Sequence, residues 1–126
     1  MHELSITESV LEIVLRHANS ANAQHVRKIQ LVIGDLASIV DDSVQFYWDI
    51  ISKDTLAEGA TLQFRRLPIE LLCLDCQNHF QPETDRFDCP RCGSSRLQII
   101  SGREFYVESI DVETNLPMSS YQNEQI

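Results

Sequence analysis

The four cysteines of this chain stand in two C-x2-C pairs, Cys73 with Cys76 and Cys89 with Cys92, separated by twelve residues. A C-x2-C turn aims two thiolates at one point, and two such turns complete a tetrahedral site of four sulfurs with metal–sulfur bonds of about 2.3 Å. Gly93 follows the second pair, where such a turn favours a positive φ. The spacing predicts a structural Zn(II) site. Cysteine fills all four positions, so none is left for a catalytic water.

The same cysteines have alternative uses. Disulfides are disfavoured because no export signal directs the chain to an oxidising compartment. A thioredoxin-like redox site would be a single C-x2-C pair in a β-α-β setting. His79, three residues after Cys76, is a candidate extra ligand that would compete when a thiolate is protonated. A histidine at this position more often only flanks the site.

A second group with metal-binding chemistry is the start of the chain, Met1-His2-Glu3. Aminopeptidases that remove initiator methionine need a small second residue, so Met1 is expected to keep its free amine. That amine and the His2 amide nitrogen form a five-membered chelate, and the amide with the imidazole forms a six-membered one. Three coplanar nitrogens favour Ni(II) or Cu(II). Glu3, Asp41 or Asp42 could add oxygen; alternatively, His2 is an accidental residue at a chain end.

Two helices are predicted to carry these residues. The first begins at a capping box formed by Ser5 and Glu8 and runs to the polar cluster at 19–22. Its apolar residues recur at helical spacing, as Ile6, Val10, Ile13 and Val14, with Leu4, Leu11, Leu15 and Ala18 beside them. The second helix is expected to use Asp41, Asp42 or Ser43 as its N-cap. Its apolar face consists of Val44, Tyr47, Trp48 and Ile51, and the aromatic run 46–48 is interpreted as core packing.

Alternation of apolar and polar residues predicts three strands. The first covers 26–33 and ends at Gly34-Asp35, and the second covers 61–67 before Pro68. The third lies within 99–113, where an apolar run and a Ser-Gly turn precede the alternating residues. The predicted fold is α+β, a small three-stranded sheet packed by two helices, with an inserted four-cysteine zinc ribbon. Residues 1–69 and 99–113 would form the metal-binding α+β domain and 70–98 the ribbon. Residues 114–126 show no periodicity and are predicted to be a mobile tail.

The charge balance limits the partners. The chain carries 19 acidic and 10 basic side chains, a formal net charge of -9. Binding to nucleic acid depends on Lys and Arg, so neither nucleic acid nor an anionic membrane is the expected partner. No stretch approaches eighteen consecutive apolar residues, and no signal peptide is recognisable, so a cytoplasmic location is expected. A phosphate-binding G-x-x-x-x-G-K loop and a nucleophile motif are both missing from the sequence, which predicts no enzymatic turnover.

Taken together, four features resemble the hydrogenase nickel-incorporation family, HypA and its paralogue HybF. They are the MHEL start, the segment VIGDLASIV, the segment AEGATL and the two cysteine pairs, in that order. The resemblance implies that Met1, His2 and Glu3 bind nickel and that the four cysteines bind zinc. It also implies a metallochaperone that works with the maturation GTPase HypB. Nickel would go to the large subunit of [NiFe]-hydrogenase and, in some organisms, to urease.

Two rival functions remain open from the sequence. A zinc-ribbon adaptor would bind only protein partners, and MHEL would then be an accident. A nucleic-acid-binding ribbon is disfavoured because residues 70–98 contain five carboxylates against three arginines. The recipient enzyme and the choice between monomer and homodimer are not determined by the residues.

Overall fold

The computed structural model describes residues 3–83 and 86–114, and the backbone of Glu124–Gln125. These residues form two compact units. The first contains residues up to 32, residues 38–65 and residues from 105 onward, and the second contains Ile33–Ala37 and Arg66–Glu104. The helices are α1 (Glu3–Ser20) and α2 (Asp41–Ile51). The strands are β1 (His25–Gly34), β2 (Thr61–Leu67), β3 (Glu70–Cys73), β4 (His79–Phe80), β5 (Leu97–Ser101), β6 (Phe105–Glu113) and β7 (Glu124–Gln125).

Helix α1 begins two residues before the predicted capping box. Ser5 lies inside the helix, where its carbonyl accepts a hydrogen bond from Ser9 Oγ at 3.2 Å, so the capping-box prediction is wrong. The reason is that the buried face extends further toward the N-terminus than the apolar pattern indicates. Glu3 and Thr7 are both buried, and the Thr7 hydroxyl donates to the Glu3 carbonyl. The helix ends at Ser20, as the polar cluster predicts.

Helix α2 has Val40 as its N-cap residue, without a side-chain cap. The expected caps, Asp41, Asp42 and Ser43, instead occupy the first helical turn, where the two carboxylates face the positive end of the helix dipole. Val44 and Trp48 are fully buried, as their spacing predicts. The aromatic run is only partly core, because Phe46 is 61% exposed.

The larger sheet has the strand order β2-β1-β6-β7. Strand β1 lies between β2 and β6, and its residues Ile29, Leu31, Val32 and Ile33 are fully buried. The limits of β2 match the prediction, and β1 is one residue longer than predicted at each end. Two helices with a three-stranded sheet of β2, β1 and β6 are therefore confirmed.

The predicted tail, 114–126, falls mostly outside the described residues, which omit 115–123 and 126. The backbone of Glu124–Gln125 forms β7, antiparallel to β6 in the register Tyr106 to Gln125 and Val107 to Glu124. The aperiodic sequence contains no signal for this strand.

The smaller sheet has the order β4-β3-β5 and carries the cysteines. Strand β3 pairs antiparallel with both neighbours, and its first residue, Glu70, stands opposite Ser101 of β5. The sequence predicts a Ser-Gly turn between the apolar run at 99–100 and the alternating third strand. The chain does turn at Gly102, whose φ of +121° separates β5 from β6, and residues 99–101 pair in the smaller sheet.

Gly34, at the end of β1, packs directly against the backbone at Gly102. A Cβ at Gly34 would lie 2.1 Å from the Gly102 carbonyl oxygen. The Gly34 amide donates to the Glu104 carbonyl at 2.7 Å, and the Leu36 amide donates to the Gly102 carbonyl at 2.7 Å. Only glycine permits this approach of two backbones.

Within residues 3–83 and 86–114, neither helix has the length and apolar character needed to cross a membrane.

Candidate metal centres

The four cysteine sulfurs converge, as the spacing predicts. They lie within 4.8 Å of one another, and the pairs that join the two C-x2-C turns are closer, with Cys73 to Cys92 at 3.5 Å and Cys76 to Cys89 at 3.6 Å. A tetrahedral zinc site with bonds of about 2.3 Å places its sulfurs about 3.8 Å apart. The arrangement therefore fits a zinc ion with only small adjustment.

Each C-x2-C segment folds as a tight turn closed by a backbone hydrogen bond. In the first turn the Gln77 amide donates to the Cys73 carbonyl at 2.9 Å, and in the second the Gly93 amide donates to the Cys89 carbonyl at 2.8 Å. Gln77 and Gly93 both have positive φ, 65° and 77°. The glycine was predicted to adopt this conformation; the matching role of Gln77 was not.

The four thiols differ in burial and in acidity. Cys73 and Cys89 are buried, Cys76 is half-buried and Cys92 is exposed. The backbone amide of Cys76 lowers the pKa of Cys73. Burial acts to raise the pKa of Cys89, but the amides of Cys92 and Arg91 together lower that pKa to about 6.

The other two thiols are shifted upward. Burial raises the pKa of Cys76. The Ser94 amide acts to lower the pKa of Cys92, but the Cys73 thiol beside it and burial outweigh that amide and raise the pKa to about 12. One thiol of each turn is thus favoured as a thiolate, and these are the buried ones. Zinc binds thiolates, so the buried pair is prepared for the metal.

His79 is not among the residues that meet at this centre. It lies on β4, exposed and opposite Leu72 in the register, and the described metal-binding cluster consists of the four cysteines alone. Asn78, immediately before it, does reach the site, because its side-chain amide donates to Cys89 Sγ at 3.8 Å. Sequence reasoning missed Asn78, since an asparagine between two strands has no distinguishing spacing.

The second candidate centre is at the start of α1. Met1 and His2 lie outside the described residues. Glu3 is 8% exposed, and its Oε2 accepts a hydrogen bond from the Val40 amide at 3.4 Å. This contact places the first turn of α2, with Asp41 and Asp42, beside the first turn of α1.

The fold and the cysteine centre define a class: a small α+β protein with a four-cysteine module of the zinc-ribbon type. A sequence profile for the HypA family, described as hydrogenase/urease nickel incorporation metallochaperone, matches residues 1–112. The chain belongs to the HypA family.

Two relatives agree with this assignment, and one solved structure has a similar fold. The chain is 43% identical over 113 residues to a hydrogenase maturation factor HypA of Dehalococcoides mccartyi, covering 90% of this chain and 95% of the relative. It is 40% identical over 114 residues to a hydrogenase maturation factor HypA of Caldanaerobacter subterraneus, covering 90% and 100%. The fold is similar to the solution structure of the Ni metallochaperone HypA from Helicobacter pylori, with a TM-score of 0.65, 23% identity, and 91% and 100% coverage.

Family membership determines the general function. The chain is a nickel metallochaperone of hydrogenase maturation with a four-cysteine centre suited to zinc, and it is not an enzyme. A metallochaperone binds a metal ion and passes it on, so its chemistry consists of ligand exchange.

Proposed function

We propose that this chain carries Ni(II) at the start of α1 and delivers it to a hydrogenase precursor. The ligands would be the Met1 amine, the His2 amide nitrogen and the His2 imidazole, which suit a square-planar ion. A carboxylate from Glu3, Asp41 or Asp42 would complete the set. Here nickel is the cargo, while Zn(II) on Cys73, Cys76, Cys89 and Cys92 is the structural ion.

The observation that carries this proposal is the contact between Glu3 and Val40. Their 3.4 Å hydrogen bond brings the starts of two helices together, and both starts bear carboxylates. The Val40 amide holds one oxygen of buried Glu3, and Asp41 and Asp42 follow Val40 directly in the first turn of α2, so three carboxylates belong to this meeting point.

Family membership supports a proposal about the partners. We infer that the maturation GTPase HypB and the large subunit of [NiFe]-hydrogenase are the proteins that meet this chain, in the cytoplasm. Urease maturation is a second destination that the family description includes. The net charge of -9 fits a cation carrier and basic protein surfaces, and does not suit nucleic acid.

A nickel titration of tag-free protein tests the ligand set. His2→Ala removes the imidazole, and one residue added before Met1 moves the amine out of its chelate ring. Both changes should abolish tight nickel binding while the zinc content stays at one ion per chain. His25→Ala is the matched control, because His25 is a partly exposed histidine on β1 that should leave the titration unchanged.

The titration has a pH dependence with a fixed sign. An ammonium has no lone pair, so nickel affinity should fall as pH drops below the amine pKa of about 7.7 to 8.0, and again below that of imidazole at about 6.5. If the extended chain binds nickel as tightly as the native one, the terminal chelate is wrong. Asp41→Asn and Asp42→Asn, measured side by side, then identify which carboxylate takes part.

A further inference from the structure

Three polar side chains that are not metal ligands connect the two halves of the metal centre. Asp75 lies between Cys73 and Cys76 in the first C-x2-C turn. Its Oδ1 accepts from Arg96 Nη1 at 2.5 Å, and its Oδ2 accepts from the Ser94 hydroxyl. We call Asp75, Ser94 and Arg96 the clasp.

The clasp is anchored to the backbone on both sides. On the side of the second turn, the Ser94 carbonyl accepts from the Cys89 amide at 2.8 Å, and the Ser94 hydroxyl accepts from the Arg96 amide at 3.0 Å. On the side of the first turn, the Leu74 amide donates to the Arg96 carbonyl at 2.9 Å. The carboxylate of Asp75 thus joins the first turn to the segment that closes the second.

This connection matters because each turn supplies only two of the four ligands. The close sulfur pairs, at 3.5 and 3.6 Å, each join one turn to the other, so the site exists only while the two turns stay together. Loss of a metal from such a site begins when one turn moves away. A hydrogen-bonded link outside the ligand set opposes that movement, as partners around metal ligands generally do.

We propose that Asp75 is a positioning residue which, through Ser94 and Arg96, holds the two cysteine turns at metal-binding separation and slows the release of zinc. The proposal rests on the proposed zinc site. It goes beyond that site because it assigns a role to three residues that are not ligands.

The same ribbon contains a matched control. Asp88 also lies next to a cysteine and is also paired with an arginine, since Arg86 Nε contacts Asp88 Oδ1 at 3.3 Å. That pair joins residues two positions apart in one segment and connects nothing across the centre. Asp75→Ala and Asp88→Ala therefore remove the same charge close to the sulfurs, and only Asp75→Ala opens the clasp.

The experiment measures the transfer of zinc from the loaded full chain to a chromophoric chelator. Substitution of residues around metal ligands typically weakens metal binding about 10-fold to 100-fold. Asp75 and Arg96 are exposed, so we expect an effect at the low end of this range, with Asp75→Ala releasing zinc about tenfold faster than the native chain. Asp88→Ala should release it at the native rate. Ser94→Ala, which keeps the ion pair, should lie between the two and serves if Asp75→Ala does not fold.

Two further measurements separate positioning from general loosening of the ribbon. The Co(II)-substituted Asp75→Ala protein should keep the absorption bands of a tetrahedral four-sulfur site, and hydrogen exchange of the β3 and β5 amides should stay native. Arg96→Gln should speed zinc release when Asp75 is present. It should add little to the effect of Asp75→Asn, because Arg96 and Asp75 act through the same ion pair.

Each remaining outcome counts against the proposal. Equal acceleration in Asp75→Ala and Asp88→Ala would assign the effect to lost charge, and no acceleration in Asp75→Ala would remove the clasp altogether. Faster exchange of the β3 and β5 amides would reduce Asp75 to ordinary support of the sheet. If the native chain binds no zinc at all, the proposed metal site itself fails, which the zinc content reports separately.

Discussion

Replacing Gly34 with alanine should loosen the junction between the end of β1 and Gly102. The added Cβ would lie 2.1 Å from the Gly102 carbonyl oxygen and 2.2 Å from its carbon, whereas ordinary contact begins at 3.4 Å. The methyl group is thus more than 1 Å too close to backbone atoms, which have no rotamer to adopt. The two segments must therefore separate.

Separation breaks the hydrogen bonds from Gly34 to Glu104 and from Leu36 to Gly102, both 2.7 Å long. Each buried group left without a partner costs about 1 to 3 kcal/mol. The reduced freedom of the unfolded chain returns about 0.4 to 1 kcal/mol when alanine replaces glycine. For the two broken bonds together, the expected net loss of local stability is about 1 to 6 kcal/mol.

Hydrogen exchange of the Leu36 amide measures this loss, since the amide is protected only while the junction is closed. Gly59→Ala is the control: Gly59 has a φ of +77° but nothing within 4 Å of a Cβ, so strain is its only cost, about 1 to 2 kcal/mol, and Leu36 should be unaffected. If the free energy of opening at the Leu36 amide in Gly34→Ala stays within about 0.5 kcal/mol of the native value, the predicted clash with Gly102 is wrong.

Three further predictions concern the cysteine centre. Zinc removal by a chelator should unfold residues 70–98 but leave Trp48 buried, because structural zinc supplies about 10 to 16 kcal/mol of folding free energy in small modules. Proteolysis measures the unfolding of the ribbon, and fluorescence of the single tryptophan measures whether Trp48 stays buried. Cys89→Ser should lose zinc faster than Cys92→Ser in the same chelator assay. Cys89 is buried and its sulfur accepts a hydrogen bond from the Arg91 amide, whereas water can replace the exposed Cys92 as a ligand. Equal rates of zinc loss would contradict this prediction. A free cysteine thiol has a pKa of about 8.5, and the folded ribbon raises the pKa of Cys76 and Cys92 further. At least these two thiols are therefore protonated near neutral pH whether or not the zinc-free ribbon is folded, so zinc must displace at least two protons. Zinc affinity should fall at least about 100-fold per pH unit on acidification, and a titration series with a shallower slope would exclude this.

The elements predicted correctly are those in which a single local pattern decides the outcome. Strand β2 alternates and stops at a proline, and the spacing of the cysteines alone brings four sulfurs within 4.8 Å of one another. Helix α2 also follows its periodicity, with Val44 and Trp48 buried.

The errors arise where a distant segment changes a local choice. Buried Glu3 extends α1 beyond its expected start, and the amide at the N-cap of α2 meets Glu3 instead of a local cap. Residues 97–101 join the smaller sheet because β3 pairs with them, a partnership that the alternation of the segment does not specify. The clasp was missed for the same reason, since Asp75 and Arg96 are separated by 21 positions.

The antiparallel pairing of Glu70 with Ser101 has a consequence for how the larger sheet assembles. Strand β1, in the middle of that sheet, receives β6 as a neighbour only after the whole ribbon has been synthesised. Once β3 and β5 pair, the loop between β2 and β6 is effectively a few residues long, whereas the full segment has nearly forty. This shortening lowers the entropic cost of bringing β6 beside β1 by about 1.5 kcal/mol. An ion captured by the emerging cysteines would thereby shorten the search that completes the larger sheet, so zinc supply during translation should set the yield of competent chaperone.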